Sequence, residues 1–181
     1  MPIAVSACLA GHLCRYDGKY QGVPLLEEMV LLGQAVPLCP ETAGGLGVPR
    51  VPAERRGQSV VDREGADVTE RFELGAKRCA EQAARLGCTA AVLKARSPSC
   101  GRGLIYDGSF QKRLAAGDGV FAEKLRLLGI PLYTEEDFPP VSGCVGKAPA
   151  GDQDGQCAMD GAAPERNANL CAVAAEAGEL A

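Results

Sequence analysis

The residues of this chain best suited to chemistry are three cysteines, Cys8, Cys39 and Cys100, which stand 31 and 61 residues apart. Each follows closely on a short apolar run that reads as a β-strand. Ile3, Ala4 and Val5 lead to Cys8, Ala35 to Leu38 lead to Cys39, and Ala90 to Leu93 lead to a Ser97-Pro98-Ser99-Cys100 turn. In an open α/β sheet the ligand crevice lies outside the carboxyl ends of the strands, so all three thiols are expected at one sheet edge. Their neighbours are residues a packed core would not choose: Ser6, Cys14, Arg15 and Asp17 near Cys8, Glu41 after Cys39, and Ser97 and Ser99 before Cys100.

Three kinds of chemistry are open to such a set. Any one cysteine is most simply a small, soft packing residue, but three at one edge weaken that reading. A structural zinc ion takes four ligands, commonly at short paired spacings, and this sequence contains no CxxC. A [4Fe–4S] cluster takes one thiolate per iron when fully ligated. Three cysteines would leave one iron open, and an open metal position is what catalysis needs. Cys14 is the candidate fourth ligand, and its binding would close the cluster. A thiol nucleophile needs a base, and the single histidine is His12, two residues before Cys14. The other reading of His12 is a solvated loop residue. Phosphate-binding patterns are missing: Gly44, Gly45 and Gly47 do not form GxGxxG, nor do Gly101 and Gly103, and no Walker lysine follows either group.

The elements between these strands must bring the cysteines together. The run from Gly22 to Gly33 predicts a crossover helix with Glu27 and Glu28 outward and Leu25, Leu26, Met29, Val30 and Leu32 mostly inward. Such a helical crossover suits a parallel strand pair. Residues 40–66 are rich in Gly and Pro without helical period, which predicts a long functional loop walling the crevice. Its candidate polar contacts are Glu41, Arg50 and Glu54, whereas Arg55 and Arg56 read equally well as a solvated basic turn. Asp67 to Leu86 predicts a helix opened by a capping box of Asp67 and Glu70, with Val68, Phe72, Ala76, Cys79, Ala80 and Ala83 on one face. Cys79 and Cys88 then belong to the core. Asp118 is expected to cap a helix running to Leu128, and residues 130–133 to form a fourth strand. The apolar strands show no alternation, as in a parallel sheet covered on both faces. Together these elements predict one three-layer, Rossmann-like α/β domain with a mostly parallel sheet over residues 1–140.

Composition sets further bounds. The chain of 181 residues is long enough for one well-buried core. Residues 1–140 carry 17 Lys and Arg against 17 Asp and Glu, so no basic field for a nucleic acid polymer exists, while residues 141–181 carry 2 against 6. Those last residues shift to Ala, Gly and acidic types without aromatics, which predicts a low-complexity, flexible tail with a weak helix near residues 169–177. Its Cys144, Cys157 and Cys171 are too widely spaced to suggest a second metal site. No apolar run reaches the roughly 18 residues of a membrane span, and the N-terminus lacks the form of a signal peptide. A cytoplasmic protein is expected, in which nine cysteines are metal-binding, catalytic or buried rather than paired.

Five motifs in order, VSACLAGHLCRYDG, CPETAGGLGVPRVPAE, DVTERFELGA, LKARSPSCG and IYDGSF, resemble the domain-of-unknown-function 523 family, which includes a bacterial thiouracil desulfurase. The resemblance covers about residues 3–137. It implies an α/β fold holding a [4Fe–4S] cluster on Cys8, Cys39 and Cys100, with the fourth iron free to take sulfur from a small thiolated substrate. It places the family's catalytic acid and serine on Glu41 and Ser99. Ser6, Cys14, Arg15, Asp17, Arg50 and Ser97 are the candidates for substrate binding or support of the site. The expected reaction is non-redox desulfuration of a thiolated nucleobase or related thiocarbonyl compound. The rival readings are a non-catalytic iron–sulfur or sulfide-binding sensor and, behind it, a zinc or thiol protein.

Overall fold

The structure is a computed structural model and describes residues 1–138. At its centre four parallel strands lie in the order β2 (Ala35–Leu38), β1 (Ile3–Ser6), β5 (Ala91–Leu93) and β8 (Leu132–Thr134). Ala4 pairs with Val36 on one side and Ala91 on the other, and Val92 pairs with Tyr133. Successive residues point to opposite faces, so the sheet divides the interior in two. Ala4, Ala91 and Leu93 pack with Phe72, Ala76 and Phe121 from α3 (Thr69–Arg85) and α4 (Val120–Leu127). Val5 and Val92 pack with Leu26 and Met29 of α1 (Pro24–Leu31). This is the expected three-layer arrangement.

The chain leaves β1 toward β2 on one side and returns to β5 on the other, which puts the topological switch point between β1 and β5. Cys8, in a 3-10 turn over Ala7–Ala10, and Cys100 both follow strands at that point. Cys79 and Cys88 are buried in the core, as expected, and desolvation pushes the Cys79 thiol up to about 12.

Four expectations need correction. Residues 40–66 are not one structureless loop: they contain the short helix α2 (Pro40–Ala43) and an antiparallel hairpin, β3 (Ala53–Arg56) with β4 (Ser59–Asp62). A second hairpin, β6 (Leu104–Tyr106) with β7 (Leu114–Ala116), follows Cys100. Asp67 does not form a capping box. Its backbone is bridged to Val61, and Val68 N donates to Val60 O at 2.9 Å, so α3 begins only at Thr69. Asp118 likewise does not cap α4, because Gly119 occupies the cap position while the Asp118 carboxylate accepts from Gly103 N and pairs with Arg126. Leu32 is exposed beyond the end of α1 rather than inward. The expected tail over residues 141–181, its weak helix and its three cysteines lie outside the described residues.

Candidate functional site

The first sheet edge is built by three separate local devices. β1 runs into the 3-10 turn that carries Cys8, and the loop beyond it brings Cys14 back as a buried residue. β2 passes directly into α2, whose first turn holds Glu41 two residues after Cys39. α2 is pressed backbone to backbone on α3 where Gly44 faces the Arg71 carbonyl. The carbonyls at its end are satisfied from α3, Arg78 donating to Ala43 O at 2.8 Å and Arg71 to Gly45 O at 3.0 Å.

The third device is the turn after β5. Ser97 Oγ accepts from the amides of Ser99 and Cys100, each at 3.1 Å, and Ser97 O accepts from Gly101 N at 2.8 Å. The carbonyls of Pro98 and Ser99 accept from the first amides of α4, Val120 N at 3.0 Å and Phe121 N at 2.8 Å. Cys100 is thereby fixed from both sides. Ser99 is fully buried, and its Oγ has no hydrogen-bond partner among the described residues. An unpaired buried hydroxyl costs about 1–3 kcal/mol, so its retention calls for a reason.

The thiols interact. Cys39 Sγ lies 3.9 Å from Cys14 O, and the neighbouring Cys14 thiol lowers the Cys8 thiol below its ordinary value and brings Cys39 to about 6. Cys14 itself is pushed far upward by the same two neighbours. Burial pushes Cys100 up, opposed by the Ser6 hydroxyl. Ser6 Oγ also accepts from Lys94 N at 2.9 Å, joining β1 to β5. All four thiols are free. Among the described residues no three His, Cys, Asp or Glu side chains converge as ligands of one metal ion. The donor set fits an iron–sulfur group: the thiols are free, Cys8 and Cys39 are held toward the thiolate form that such a cluster takes, and the residue before Cys100, Ser99, carries a buried hydroxyl with no partner among the described residues.

The remaining candidates are placed as follows. Arg50 Nε donates to Glu41 Oε2 at 2.7 Å, and its Nη2 donates to Cys14 O at 3.0 Å. Arg15 and Asp17 satisfy each other through two 2.9 Å contacts, Arg15 lying over the Tyr16 ring. Glu54 belongs to another part of the molecule, where its Oε2 accepts from Gly108 N at 3.1 Å and Phe110 N at 2.9 Å. Arg55 is not solvated: it is buried, donating to Asp118 O at 2.7 Å and pairing with Glu123, whereas Arg56 is exposed at the end of β3 and donates to Gly108 O. Among the described residues the His12 ring makes no hydrogen bond, and the His12 backbone carbonyl accepts from Cys14 N at 2.9 Å. Sequence reasoning missed Lys94, whose charge reaches Cys8 and which pairs with Glu135. Its position, immediately after the β5 apolar run, was the available signal.

A protein of Bacillus subtilis (strain 168), the uncharacterized protein YbbK, is 37% identical over 146 residues, spanning 75% of this chain and 97% of that protein. A solved structure described as the [4Fe-4S]-dependent thiouracil desulfidase TudS (DUF523Vcz) matches with a TM-score of 0.73 and 44% identity, over 76% of this chain and 93% of that one. The model of the 2-thiouracil desulfurase family matches residues 3–137, nearly the whole of the described fold with its three-cysteine edge, and the chain belongs to that family.

Proposed function

We propose that this protein is a desulfurase that converts 2-thiouracil, or a related small thiocarbonyl compound, to the corresponding carbonyl compound and sulfide on a [4Fe–4S] cluster. Water supplies the oxygen and both protons of the hydrogen sulfide released, so no electrons are transferred. The observation that carries this reading is the meeting of Cys8, Cys39 and Cys100 at one sheet edge with Glu41 two residues beyond Cys39.

Cys8, Cys39 and Cys100 would hold the cluster. When bound, it supplies a Lewis-acidic iron, free of protein thiolate, that draws electron density from the substrate carbon through its sulfur. Glu41 orients a water toward that carbon and takes its proton at a carboxylate oxygen. Ser99, whose hydroxyl is committed to no other partner among the described residues, passes the proton on toward the departing sulfur. Ser97 and Ser6 contribute by holding Cys100 and the β1–β5 seam. Free thiols suit a reducing compartment such as the cytoplasm, and among the described residues no helix is long and apolar enough to cross a membrane.

The test is anaerobic reconstitution with iron and sulfide, followed by the visible spectrum and an assay of sulfide release from 2-thiouracil. Brown protein that releases sulfide is expected. Cys-to-Ala changes at 8, 39 or 100 should remove colour and activity together, whereas Glu41→Gln should keep colour and lose turnover. Brown protein inert toward thiolated bases would point to sulfide binding or sensing, and colourless protein would end the cluster reading.

A further inference from the structure

We propose that Arg50 is a positioning residue of this site: it locks one carboxylate oxygen of Glu41 and leaves the other, Oε1, as the atom that accepts the proton. The inference rests on the desulfurase reading above and adds to it a residue that need not touch substrate.

Arg50 places two donors on a single oxygen. Its Nε lies 2.7 Å and its Nη2 2.6 Å from Oε2 of Glu41. A guanidinium and a carboxylate commonly pair through both oxygens, which would leave no oxygen free to work as a base. Here Oε1 has no donor among the described residues. The pair is also shielded, with side-chain exposures of 10% for Arg50 and 18% for Glu41, so solvent screens it less than an ordinary surface ion pair.

Arg50 is itself held rigidly. Its Nη2 reaches Cys14 O at 3.0 Å, its Nη1 reaches Gly47 O at 3.0 Å, and its backbone N donates to Tyr16 O at 2.8 Å. One planar fork therefore ties Glu41 to the loop that carries Cys14. The Glu41 backbone is fixed independently, since α2 is packed against α3 and Glu41 O accepts from Leu46 N at 3.0 Å. Side-chain rotation is the freedom left to Glu41, and Arg50 removes it. Lysine cannot reproduce the arrangement, because its donors share one nitrogen and cannot span Oε2 and two carbonyls.

The experiment uses the full chain reconstituted with its cluster, with rates of sulfide release from 2-thiouracil expressed per cluster. Arg50→Ala should keep the visible spectrum and KM while lowering kcat about 10- to 100-fold, as a misplaced catalytic group does. Arg50→Lys should recover only part of that loss. Adding Arg50→Ala to Glu41→Gln should slow the enzyme no further, because a residue acting through Glu41 has nothing left to position. In the cluster-free protein the Arg50 Nε–H nuclear magnetic resonance signal should shift on Glu41→Gln.

A wild-type kcat per cluster in Arg50→Ala, alongside a slow Glu41→Gln enzyme, would overturn the positioning role while sparing the proposed function. A wild-type rate in Glu41→Gln would instead remove the role of Glu41, and Arg50's with it. If Arg50→Ala fails to retain the cluster, full activity of Arg50→Lys or an unmoved Nε–H signal would overturn the proposal.

Discussion

Gly75 of α3 stands so close to the Pro40 carbonyl that a Cβ on it would lie 1.7 Å from the oxygen. Pro40 separates Cys39 from Glu41, so this single close approach seats a candidate cluster ligand and the candidate base together. Gly75→Ala must push α2 away. The overpacking cost is about 1–3 kcal/mol, larger than the roughly 0.5–1 kcal/mol that alanine returns to a helix. Urea denaturation should show net destabilisation, and iron retained per chain should fall. An unchanged iron content would mean that the Cys39–Glu41 segment does not depend on this contact.

Ser99→Ala should separate stability from turnover. Its hydroxyl is buried without a partner among the described residues, so removing it should leave the cluster-free protein as stable as before or up to about 1 kcal/mol more stable. If the hydroxyl carries the proton, kcat should nevertheless fall by about 100-fold or more, the usual contribution of a positioned proton-transfer group. Thermal unfolding and sulfide release, measured on the same preparation, check both halves. Full activity in the alanine variant would leave the hydroxyl as a packing defect only.

The sequence makes some parts of this molecule legible and hides others for physical reasons. β1, β2 and β5 are continuous apolar runs because helices cover both their faces, and that signal is local. The three cysteines were readable for the same reason, each lying at or just beyond such a run. The β3–β4 hairpin left no alternation to read. Glu54, Arg55 and Arg56 point into partners contributed from residues 108–123, so polar side chains occupy positions where a free-standing hairpin would show apolar ones. α2 has only four residues, too few to show a period. The pairing of Glu41 with Arg50, nine residues apart, follows no helical or strand spacing. It exists only because the chain between them folds back on itself.

Arg96 enters the Ser97–Cys100 turn with a φ of 62°, the left-handed region that L side chains avoid. Its exposed ion pair with Glu136, at 2.7 Å, offsets little of that cost. Arg96→Gly should therefore be close to neutral, whereas Arg96→Val, β-branched at the same backbone conformation, should destabilise by about 1–3 kcal/mol. The order of urea midpoints, with valine lowest, tests this. Cluster retention should follow the same order, because the strained residue sets the direction of the turn that presents Cys100. Equal midpoints for valine and glycine would show that the backbone relaxes at this point.

Asp118 gives the fold a defined acid limit. Burial alone would push its carboxyl up, but the Arg126 guanidinium and the Gly103 N–H outweigh it, and the group titrates below the ordinary carboxylate range. A depressed folded value means that the stabilisation is complete above the unfolded value of about 3.9 and disappears as pH falls through the folded one. Asp118→Asn keeps an acceptor for Gly103 but loses the charge opposite Arg126, 2.7 Å away. At pH 7 the cluster-free variant should be less stable than wild type by about 1 kcal/mol. The gap should stay constant down to about pH 5 and close progressively below about pH 4. A gap that persisted undiminished at pH 3 would assign the loss to altered packing between the β6–β7 hairpin and α4 rather than to the carboxylate charge.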